Sequence, residues 1–304
     1  MDPLLEFGQH SISPSAELAG LRQRAEEIYT LRDVPLIFPR VDGTPRTYHI
    51  ALPADPDAPL DQFAMTQHWP SAPPNAPSLL AETLGEREHA GAETQDAATT
   101  AAQQARAAVT AGVHMPYWGL LWPSGIALAE EVLARPDMLR ERNVLELGCG
   151  LGATATAALD AGASLLAADC FDEALLFTRY NSLRNTGQTP STTLLDWRTE
   201  AGRVACLAAA PFDLLLAADV LYEQENLDPL LTLVPDLLAP GGAFWLAEPG
   251  RRVSQAFVAA ARASGWHDDE RVYQRSWPPY NDKARVAVHH FTLPHAAKGK
   301  TAPR

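Results

Sequence analysis

Short apolar runs alternate with amphipathic segments through the second half of the sequence. Asn143–Leu147 and Phe212–Ala218 are nearly continuous apolar runs, and residues 164–168, 192–195 and 243–247 follow the same pattern. Short runs of this kind, bounded by glycine or polar residues, are typical of strands buried on both faces. We therefore predict five strands of one parallel sheet.

Helical segments separate these strands. Apolar residues fall on one side of residues 124–133, and helices are also predicted at 153–161, 173–183, 227–238 and 253–264. Strands and helices in alternation predict an α/β domain in which helices cover both faces of a mostly parallel sheet.

Two further strands are predicted at residues 270–274 and 284–293, with no helix between them. Consecutive strands that lack a crossover helix pair antiparallel. The predicted fold class is therefore a Rossmann-like α/β sheet of seven strands, mostly parallel, with a C-terminal antiparallel hairpin at one edge.

The first third of the sequence has a different texture. It predicts a helix at residues 15–31 capped by Ser15, a short strand at 46–52 and a proline-rich loop at 53–77. Residues 89–112 contain almost no large apolar side chain, so we place a boundary there. The predicted organisation is an N-terminal extension at 1–112, a main domain at 113–295 and a flexible tail at 296–304.

Composition narrows the classes of partner. The formal net charge is -13, which disfavours nucleic acid and suits a small molecule or a basic patch on a protein. The 3 cysteines lack C-x-x-C spacing, so we predict neither a metal site nor a disulfide framework. Because there is no signal-peptide pattern and no apolar run of ~18 residues, we expect a cytoplasmic protein without a membrane-spanning segment.

The sharpest local signal is the glycine-rich loop after the first main-domain strand. Gly148, Gly150 and Gly152 form G-x-G-x-G, which differs from the G-x-G-x-x-G of dinucleotide sites. Glu146 beside this loop would repel a pyrophosphate but suits a ligand with an amine and a sulfonium cation. Asp169 ends the next strand, where a carboxylate can accept ribose hydroxyls. These residues favour S-adenosylmethionine as cofactor; the alternative is a loop that merely packs strand against helix.

Three further motifs carry a family resemblance. Residues 116–125 read PYWGLLWPSG, residues 218–222 read ADVLY and residues 248–251 read EPGR. With the glycine loop and the hairpin, these motifs resemble class I seven-stranded S-adenosylmethionine-dependent methyltransferases. Within that class they are similar to the protein-lysine methyltransferases with a D-x-x-Y motif, such as those acting on the electron transfer flavoprotein beta subunit. The resemblance covers residues 115–293.

The resemblance implies that Trp122, Trp197 and Ala218 contact the cofactor together with the glycine loop and Asp169. The physical expectation for Trp197 is that its ring packs on adenine, while both tryptophans have an alternative as packing residues. The complete predicted cofactor site is Trp122, Glu146, Gly148, Cys149, Gly150, Gly152, Asp169, Trp197 and Ala218.

Asp219 and Tyr222 are the predicted catalytic residues. They follow the fourth main-domain strand, at the edge of an open α/β sheet where active sites lie, and the resemblance implies the same role. An amine must lose its proton before it attacks a methyl group, and an acid beside an aromatic residue can orient it. The alternative is that Asp219 caps a helix and Tyr222 packs; the adjacent Glu223 is expected to be solvated.

The leading functional hypothesis is an N-methyltransferase that acts on a lysine, or another nitrogen, of a protein substrate. A second hypothesis is a methyltransferase whose acceptor is a small-molecule amine. Two hypotheses from other classes are an NAD-dependent oxidoreductase of the Rossmann type and a methyltransferase-like binding module without activity. Glu146, the glycine spacing and the C-terminal hairpin count against the oxidoreductase.

Overall fold

The computed structural model describes residues 13–40, 42–66, 115–280 and 282–294. The α-helices of these ranges are α1 (Pro14–Ile28), α2 (Ala58–Thr66), α3 (Pro123–Ala134), α4 (Ala153–Asp160), α5 (Asp172–Thr186), α6 (Glu200–Ala209), α7 (Leu227–Leu237) and α8 (Arg252–Ala263). The strands are β1 (Leu31–Pro39), β2 (Pro45–Pro53), β3 (Asn143–Leu147), β4 (Ser164–Asp169), β5 (Ser191–Leu194), β6 (Phe212–Ala218), β7 (Leu238–Glu248), β8 (His267–Ser276) and β9 (Lys283–Thr292).

Seven of these strands form one sheet in the order β5-β4-β3-β6-β7-β9-β8. The strands from β5 to β7 pair parallel, whereas β9 runs antiparallel to both β7 and β8. The predicted α/β fold class and its antiparallel C-terminal hairpin are confirmed. The strand order reverses between β3 and β6, and ligands of open α/β sheets bind at such a point.

The two faces of the sheet bury separate sets of apolar side chains. Successive residues of β3 alternate, so that Val144 packs with α3, α4 and α5 while Leu145 packs with α7 and α8. Phe244 and Trp245 of β7 divide between the two faces in the same way. Helices therefore cover both faces, as the sequence pattern predicts.

The N-terminal strands β1 and β2 form a separate antiparallel hairpin that packs on α5. Asn181 of α5 accepts from the N–H of Ala51 at 2.8 Å and donates to its carbonyl at 2.9 Å. Asn185, one turn later, makes the same pair of bonds with His49, at 2.8 and 3.1 Å. The side-chain amides thus satisfy the N–H and carbonyl groups of His49 and Ala51 in β2.

A second polar contact secures the hairpin to α4. Asp160, the last residue of α4, accepts hydrogen bonds from Arg40 at 2.7 Å and from the hydroxyl of Tyr48 at 2.9 Å. Arg46 donates to the same carboxylate at 3.1 Å. The hairpin shares the apolar core of the α3–α5 face, in which Tyr48 and Ile50 are fully buried.

Several N-terminal predictions are wrong in detail. The first helix begins at Pro14 and Ser13 caps it, so Ser15 is not the cap. That helix ends at Ile28, because an unpredicted strand, β1, starts at Leu31 and pairs with β2. The stretch predicted as loop from residue 53 contains α2 (Ala58–Thr66), in which the ring of Phe63 meets Phe171 edge to face at 6.3 Å.

Within the main domain, the structure adds α6 (Glu200–Ala209), which the sequence analysis does not predict. Its first turn is capped by Thr199, whose Oγ1 accepts from the N–H of Gly202 at 3.0 Å. The Pro-Gly-Gly sequence at 240–242, a pattern typical of turns, lies inside β7, where Gly241 adopts a φ of 82°. The predicted boundary at 89–112 and the tail at 296–304 lie outside the described residues.

Candidate functional site

The loop between β3 and α4 holds its glycines in the left-handed region. Gly148, Gly150 and Gly152 have φ values of 71°, 52° and 77°, which residues with a Cβ adopt only at a cost. The N–H groups of Gly148 and Cys149 both donate to the carbonyl of Ala168, at 2.8 and 3.1 Å. The sharp turn that the sequence predicts is therefore present, at the carboxyl end of a central strand.

At two of these glycines a side chain would collide with a neighbouring residue. A Cβ on Gly152 would lie 2.7 Å from the Cα of Thr178, and one on Gly148 would lie 2.8 Å from Cγ1 of Val220. The hydroxyl of Thr178, on α5, donates to the carbonyl of Gly150 at 3.0 Å. The loop is thus held against α5 as well as against β4.

Asp169 ends β4 beside this loop. Its Oδ2 accepts from the N–H of Gly150 at 3.0 Å and its Oδ1 accepts from the N–H of Phe171 at 3.2 Å. Burial raises the pKa of Asp169 to about 6, although the backbone hydrogen bonds act in the opposite direction. Each carboxylate oxygen keeps a lone pair with which it can accept a further hydrogen bond.

Glu146 lies beneath the same loop and is buried. Its Oε2 has no hydrogen-bond partner among the described residues. Burial, and then the charge of Asp169, raise the pKa of Glu146 well above its ordinary value. A buried acceptor without a donor costs free energy, so this site favours an incoming N–H donor, above all a cationic one.

Two adjoining cavities open beside the glycine loop. The first, here called the glycine cavity, has about 380 Å³ of open space and is lined by Leu120, Leu121, Trp122, Gly125, Glu146, Gly148, Cys149, Gly150, Leu151, Gly152, Ala153, Thr154 and Ala218. The second, here called the tyrosine cavity, has about 510 Å³ and is lined by Met115, Tyr117, Trp118, Trp122, Gly148, Gly150, Asp169, Cys170, Phe171, Trp197, Ala218, Asp219, Val220 and Tyr222. All the predicted cofactor and catalytic residues line one or both cavities.

Two tryptophans shape these cavities. Trp122 borders both of them, and its Nε1 donates to the carbonyl of Tyr117 at 2.9 Å. Trp197 lines the tyrosine cavity, and its buried Nε1 has no partner among the described residues. Both indoles therefore present surface to a cavity in addition to packing against their neighbours.

Asp219, which lines the tyrosine cavity, forms an ion pair with Arg251. Nε of Arg251 donates to its Oδ1 at 2.8 Å and Nη2 donates to its Oδ2 at 3.1 Å. Asp219 adopts a φ of 54°, and its N–H donates to the carbonyl of Ala247 in β7. The sequence predicts Asp219 as a site residue but not its partner, because Arg251 carries no signal there beyond its place in the EPGR motif.

The partner could have been found from topology. The residues that follow β6 and β7 lie at the same edge of the sheet, because the two strands pair parallel. An acid directly after β6 and an arginine three residues after β7 are thus expected to lie near one another. The guanidinium of Arg251 also lies over the ring of Trp122, with Cζ 5.6 Å from its centroid.

Aromatic residues complete the tyrosine cavity. The ring of Tyr117 meets Tyr222 edge to face at 5.6 Å and Trp122 at 6.2 Å. Burial raises the pKa of Tyr222 well above its ordinary value, so its hydroxyl is neutral at physiological pH. Tyr117, Cys170 and Phe171, which are not among the predicted site residues, also border the cavity.

Two acids near the site pair with Arg198, and one of them differs from expectation. Glu223, expected to be solvated, is 8% exposed and accepts from Nη1 of Arg198 at 2.8 Å. Burial raises its pKa, against the opposing effect of Arg198. Asp196 accepts from the main-chain N–H and the Nε of Arg198 at 3.0 and 3.2 Å. Arg198, two residues before the unpredicted α6, thus pairs with both carboxylates.

The turn that carries Arg251 is supported from behind by β9. Oε2 of Glu248 accepts from the N–H of Gly250 at 2.5 Å, and Ser254 donates to the same oxygen. His289 lies 3.7 Å from the other oxygen of Glu248 and 2.9 Å from Asp268. Burial alone would lower the pKa of His289, but the two carboxylates outweigh it and raise the pKa to about 9.

Asp268, Glu270 and His289 lie within 4.8 Å of one another, as metal ligands do. Arg262, however, donates to both carboxylates at 2.9 Å. The arginine already supplies the positive charge that a cation would bring, so this cluster is explained as an ion-pair network.

Residues 115–261 match a family model described as lysine methyltransferase. The match confirms the family resemblance that the motifs indicate, over the segment that carries both cavities and Arg251. None of the helices in the described ranges combines the length and apolar character that a membrane crossing requires.

Two curated relatives resemble the same segment. The electron transfer flavoprotein beta subunit lysine methyltransferase of Rattus norvegicus is 34% identical over 139 residues, or 45% of this chain and 51% of that protein. The protein-lysine methyltransferase METTL21E of Mus musculus is 33% identical over 121 residues, or 38% of this chain and 49% of that protein. The chain therefore spans about half the length of the curated relatives it matches.

Among solved structures, the magnesium protoporphyrin IX methyltransferase of Synechocystis, determined with bound S-adenosylmethionine, aligns with a TM-score of 0.43 at 16% identity. The alignment covers 56% of this chain and 78% of that one.

Proposed function

We propose that this chain, whose residues 115–261 match the lysine methyltransferase family, is an S-adenosylmethionine-dependent N-methyltransferase that acts on a lysine of a protein. One observation carries the proposal. The buried Oε2 of Glu146, which has no hydrogen-bond partner among the described residues, lies beside a left-handed glycine loop at the point where the strand order reverses. This combination suits a cationic amine better than the pyrophosphate of a dinucleotide.

The residues present fit the cofactor. Glu146 would accept from its amino group in the glycine cavity, and the glycine loop would lie against its amino-acid moiety. Asp169 would accept from the ribose hydroxyls, and the partnerless Nε1 of Trp197 offers a donor beside the adenine. Cys149 and Ala218 supply small side chains where bulk would narrow the cavity, and Trp122 would separate the two cavities.

When bound, S-adenosylmethionine supplies an electrophilic methyl group on a sulfonium, and sulfur departs as a neutral thioether. No acid is therefore required for the leaving group. The chain contributes alignment and exclusion of water. Tyr117, Trp122 and Tyr222 form an aromatic wall at the position from which an acceptor amine would approach, and Asp219 with Arg251 forms the polar side of it.

The acceptor class rests on the shape and charge of this wall. An unbranched lysine side chain is apolar along its stem and polar at its tip, which suits aromatic rings that lead to a charged pair. The net charge of -13 favours encounter with a basic protein surface. The family match supports a protein lysine over a free amine.

We further propose a cytoplasmic setting. Cys149, Cys170 and Cys206 are all free thiols, which is usual for proteins kept in a reducing compartment.

The test uses the full chain, isotopically labelled S-adenosylmethionine and a heat-treated lysate of its own cells. We expect label in a discrete protein band, and methylated lysine after acid hydrolysis of that band. Recombinant electron transfer flavoprotein, the protein named in the relatives, serves as a defined second substrate. Asp169→Ala is the control that should lose labelling together with S-adenosylhomocysteine binding.

Label found only in small molecules would support the small-molecule amine instead. Calorimetry with S-adenosylhomocysteine and with NAD separates the remaining classes. Binding of NAD alone would support the oxidoreductase, and binding of S-adenosylhomocysteine without any turnover would support an inactive module. Absence of S-adenosylhomocysteine binding at high micromolar concentration would overturn the proposal.

A further inference from the structure

Arg251 contacts two residues that line the tyrosine cavity, Asp219 and Trp122. Its guanidinium makes the bidentate pair with Asp219 and also stacks over Trp122. The Asp219 side chain is 5% exposed and that of Arg251 is 28% exposed, so the pair is largely withdrawn from water. Bidentate arginine–carboxylate pairs are the strongest and most specifically oriented of ion pairs.

Both members of this pair are fixed by their own backbones. Asp219 adopts its left-handed conformation with its N–H bonded to β7. Arg251 precedes the first turn of α8, at the end of a turn that Glu248 holds through Gly250 and Ser254. Non-glycine residues in the left-handed region are uncommon and concentrate at functional sites. The backbone conformation of Asp219 therefore indicates a functional role in addition to packing.

Building on the proposed function, we propose that Arg251 is a positioning residue that keeps the carboxylate of Asp219 neutralised, so that the acceptor amine enters the tyrosine cavity without its proton. The acceptor ammonium releases that proton to bulk water, and its lone pair then forms the N–C bond as the S–C bond of the cofactor breaks. Asp219 orients the guanidinium in this arrangement, and the two donors of Arg251 balance its charge.

The other charged groups around the cavity are consistent with this role. Glu223 and Asp196 both pair with Arg198, and Asp169 accepts from the backbone of the glycine loop. Burial raises the pKa of Cys170 and of Tyr222, so both are neutral at physiological pH. Glu248 lies behind the turn, where Arg285 and His289 balance it. Arg251 therefore decides whether Asp219 presents a net negative charge to the acceptor.

The inference has a kinetic signature that packing alone would not produce. In Arg251→Met, the unpaired carboxylate should hold the acceptor as its ammonium form. We expect KM for the acceptor to stay equal or fall, while kcat at neutral pH drops by about tenfold or more, with the midpoint of the kcat–pH profile moved up by about one unit. Arg251→Lys keeps the charge without the planar fork, so it should recover part of the loss.

The double variant Asp219→Asn/Arg251→Met is the decisive comparison. It removes both charges, so the pH midpoint should return to that of the wild type even if kcat stays reduced. Arg252→Met removes the adjacent, exposed arginine and is the matched control, with wild-type kinetics expected. Nα-acetyl-lysine methylamide at millimolar concentration and the electron transfer flavoprotein are the two acceptor probes, and unfolding temperatures identify any variant that fails to fold.

A pH midpoint that is unchanged in Arg251→Met, or that stays shifted in the double variant, overturns the inference. A purely structural role predicts lower stability and equal losses in all variants, without a shift of the pH profile. Failure of the proposed function is seen separately, because the wild type itself would then bind no S-adenosylhomocysteine or methylate neither probe.

Discussion

The side-chain amide of Asn181 donates a hydrogen bond of 2.9 Å to the carbonyl of Leu151 in the glycine loop. The same amide group also bonds the N–H and carbonyl of Ala51 in the N-terminal hairpin. One fully buried side chain therefore connects the N-terminal hairpin, which lies outside the family match, to the loop of the candidate cofactor site.

We expect Asn181→Leu to weaken both structures. The substitution leaves three buried main-chain groups without their partner, which costs about 2–4 kcal/mol of unfolding free energy, and frees the loop carbonyl. S-adenosylhomocysteine affinity, measured by calorimetry, should fall at least severalfold. Asn185→Leu is the matched control, because it breaks the bonds to His49 but does not touch the loop. Equal losses of affinity in the two variants would contradict this link.

Gly152 tests the packing of the loop on α5. In Gly152→Ala, the new Cβ meets the backbone of Thr178 at 2.7 Å and adds left-handed strain. Gly187→Ala has nearly the same φ, 75°, but nothing within 4 Å, so it measures strain alone, at about 1–2 kcal/mol. We expect Gly152→Ala to lose clearly more stability in chemical denaturation, together with ligand binding. Similar unfolding free energies for the two alanine variants would show that the close contact is not limiting.

Asp169 should make cofactor binding sensitive to pH. Burial raises its pKa to about 6, and its ionised form is the better acceptor for ribose hydroxyls. S-adenosylhomocysteine affinity should therefore decline as pH falls through about 6, and Asp169→Asn should bind weakly at every pH without that step. Asp172→Asn, at an exposed position three residues away, should retain the wild-type profile.

The ionised carboxylate of Asp169 should favour ligand binding but destabilise the ligand-free protein. Because the folded-state pKa of this acid is raised, its ionisation disfavours folding as pH rises from about 4 through 6, and the cost persists above that range. Asp169→Asn should thus leave the unfolding temperature of the ligand-free protein at neutral pH equal to, or above, that of the wild type. A large loss of stability would mean that the hydrogen bonds to Gly150 and Phe171 outweigh the buried charge.

The raised pKa of His289 predicts that the unfolding free energy also depends on pH above neutrality. Its folded-state pKa is raised to about 9, so its contribution is complete below about 6.5 and is lost as pH rises through 9. We expect the unfolding free energy to decline by about 1–3 kcal/mol over that window. His289→Gln should flatten the decline, and His267→Gln, at an exposed position on β8, should not. A decline that survives in His289→Gln would assign it to other groups.

The sequence predicts the centre of the fold better than its periphery. β3 and β6 have the predicted bounds, because strands buried on both faces consist almost wholly of apolar residues. The helix α2 was missed because the proline and aspartate residues around it are typical of loops, and its few apolar residues find partners only in the folded protein. The site follows the same division: the glycines that set backbone conformation are predictable, while Arg251 and Arg198 act through partners that only topology brings together.

The two asparagines of α5 also protect the N-terminal hairpin from self-association. A strand with unpaired N–H and carbonyl groups along its outer side is a template to which the backbone of another molecule can add. In β2, the N–H and carbonyl groups of residues 49 and 51 are hydrogen-bonded to side-chain amides of the same chain. The hairpin is thereby closed to strand addition along this edge, and loss of both amides would turn an internal contact into an aggregation site.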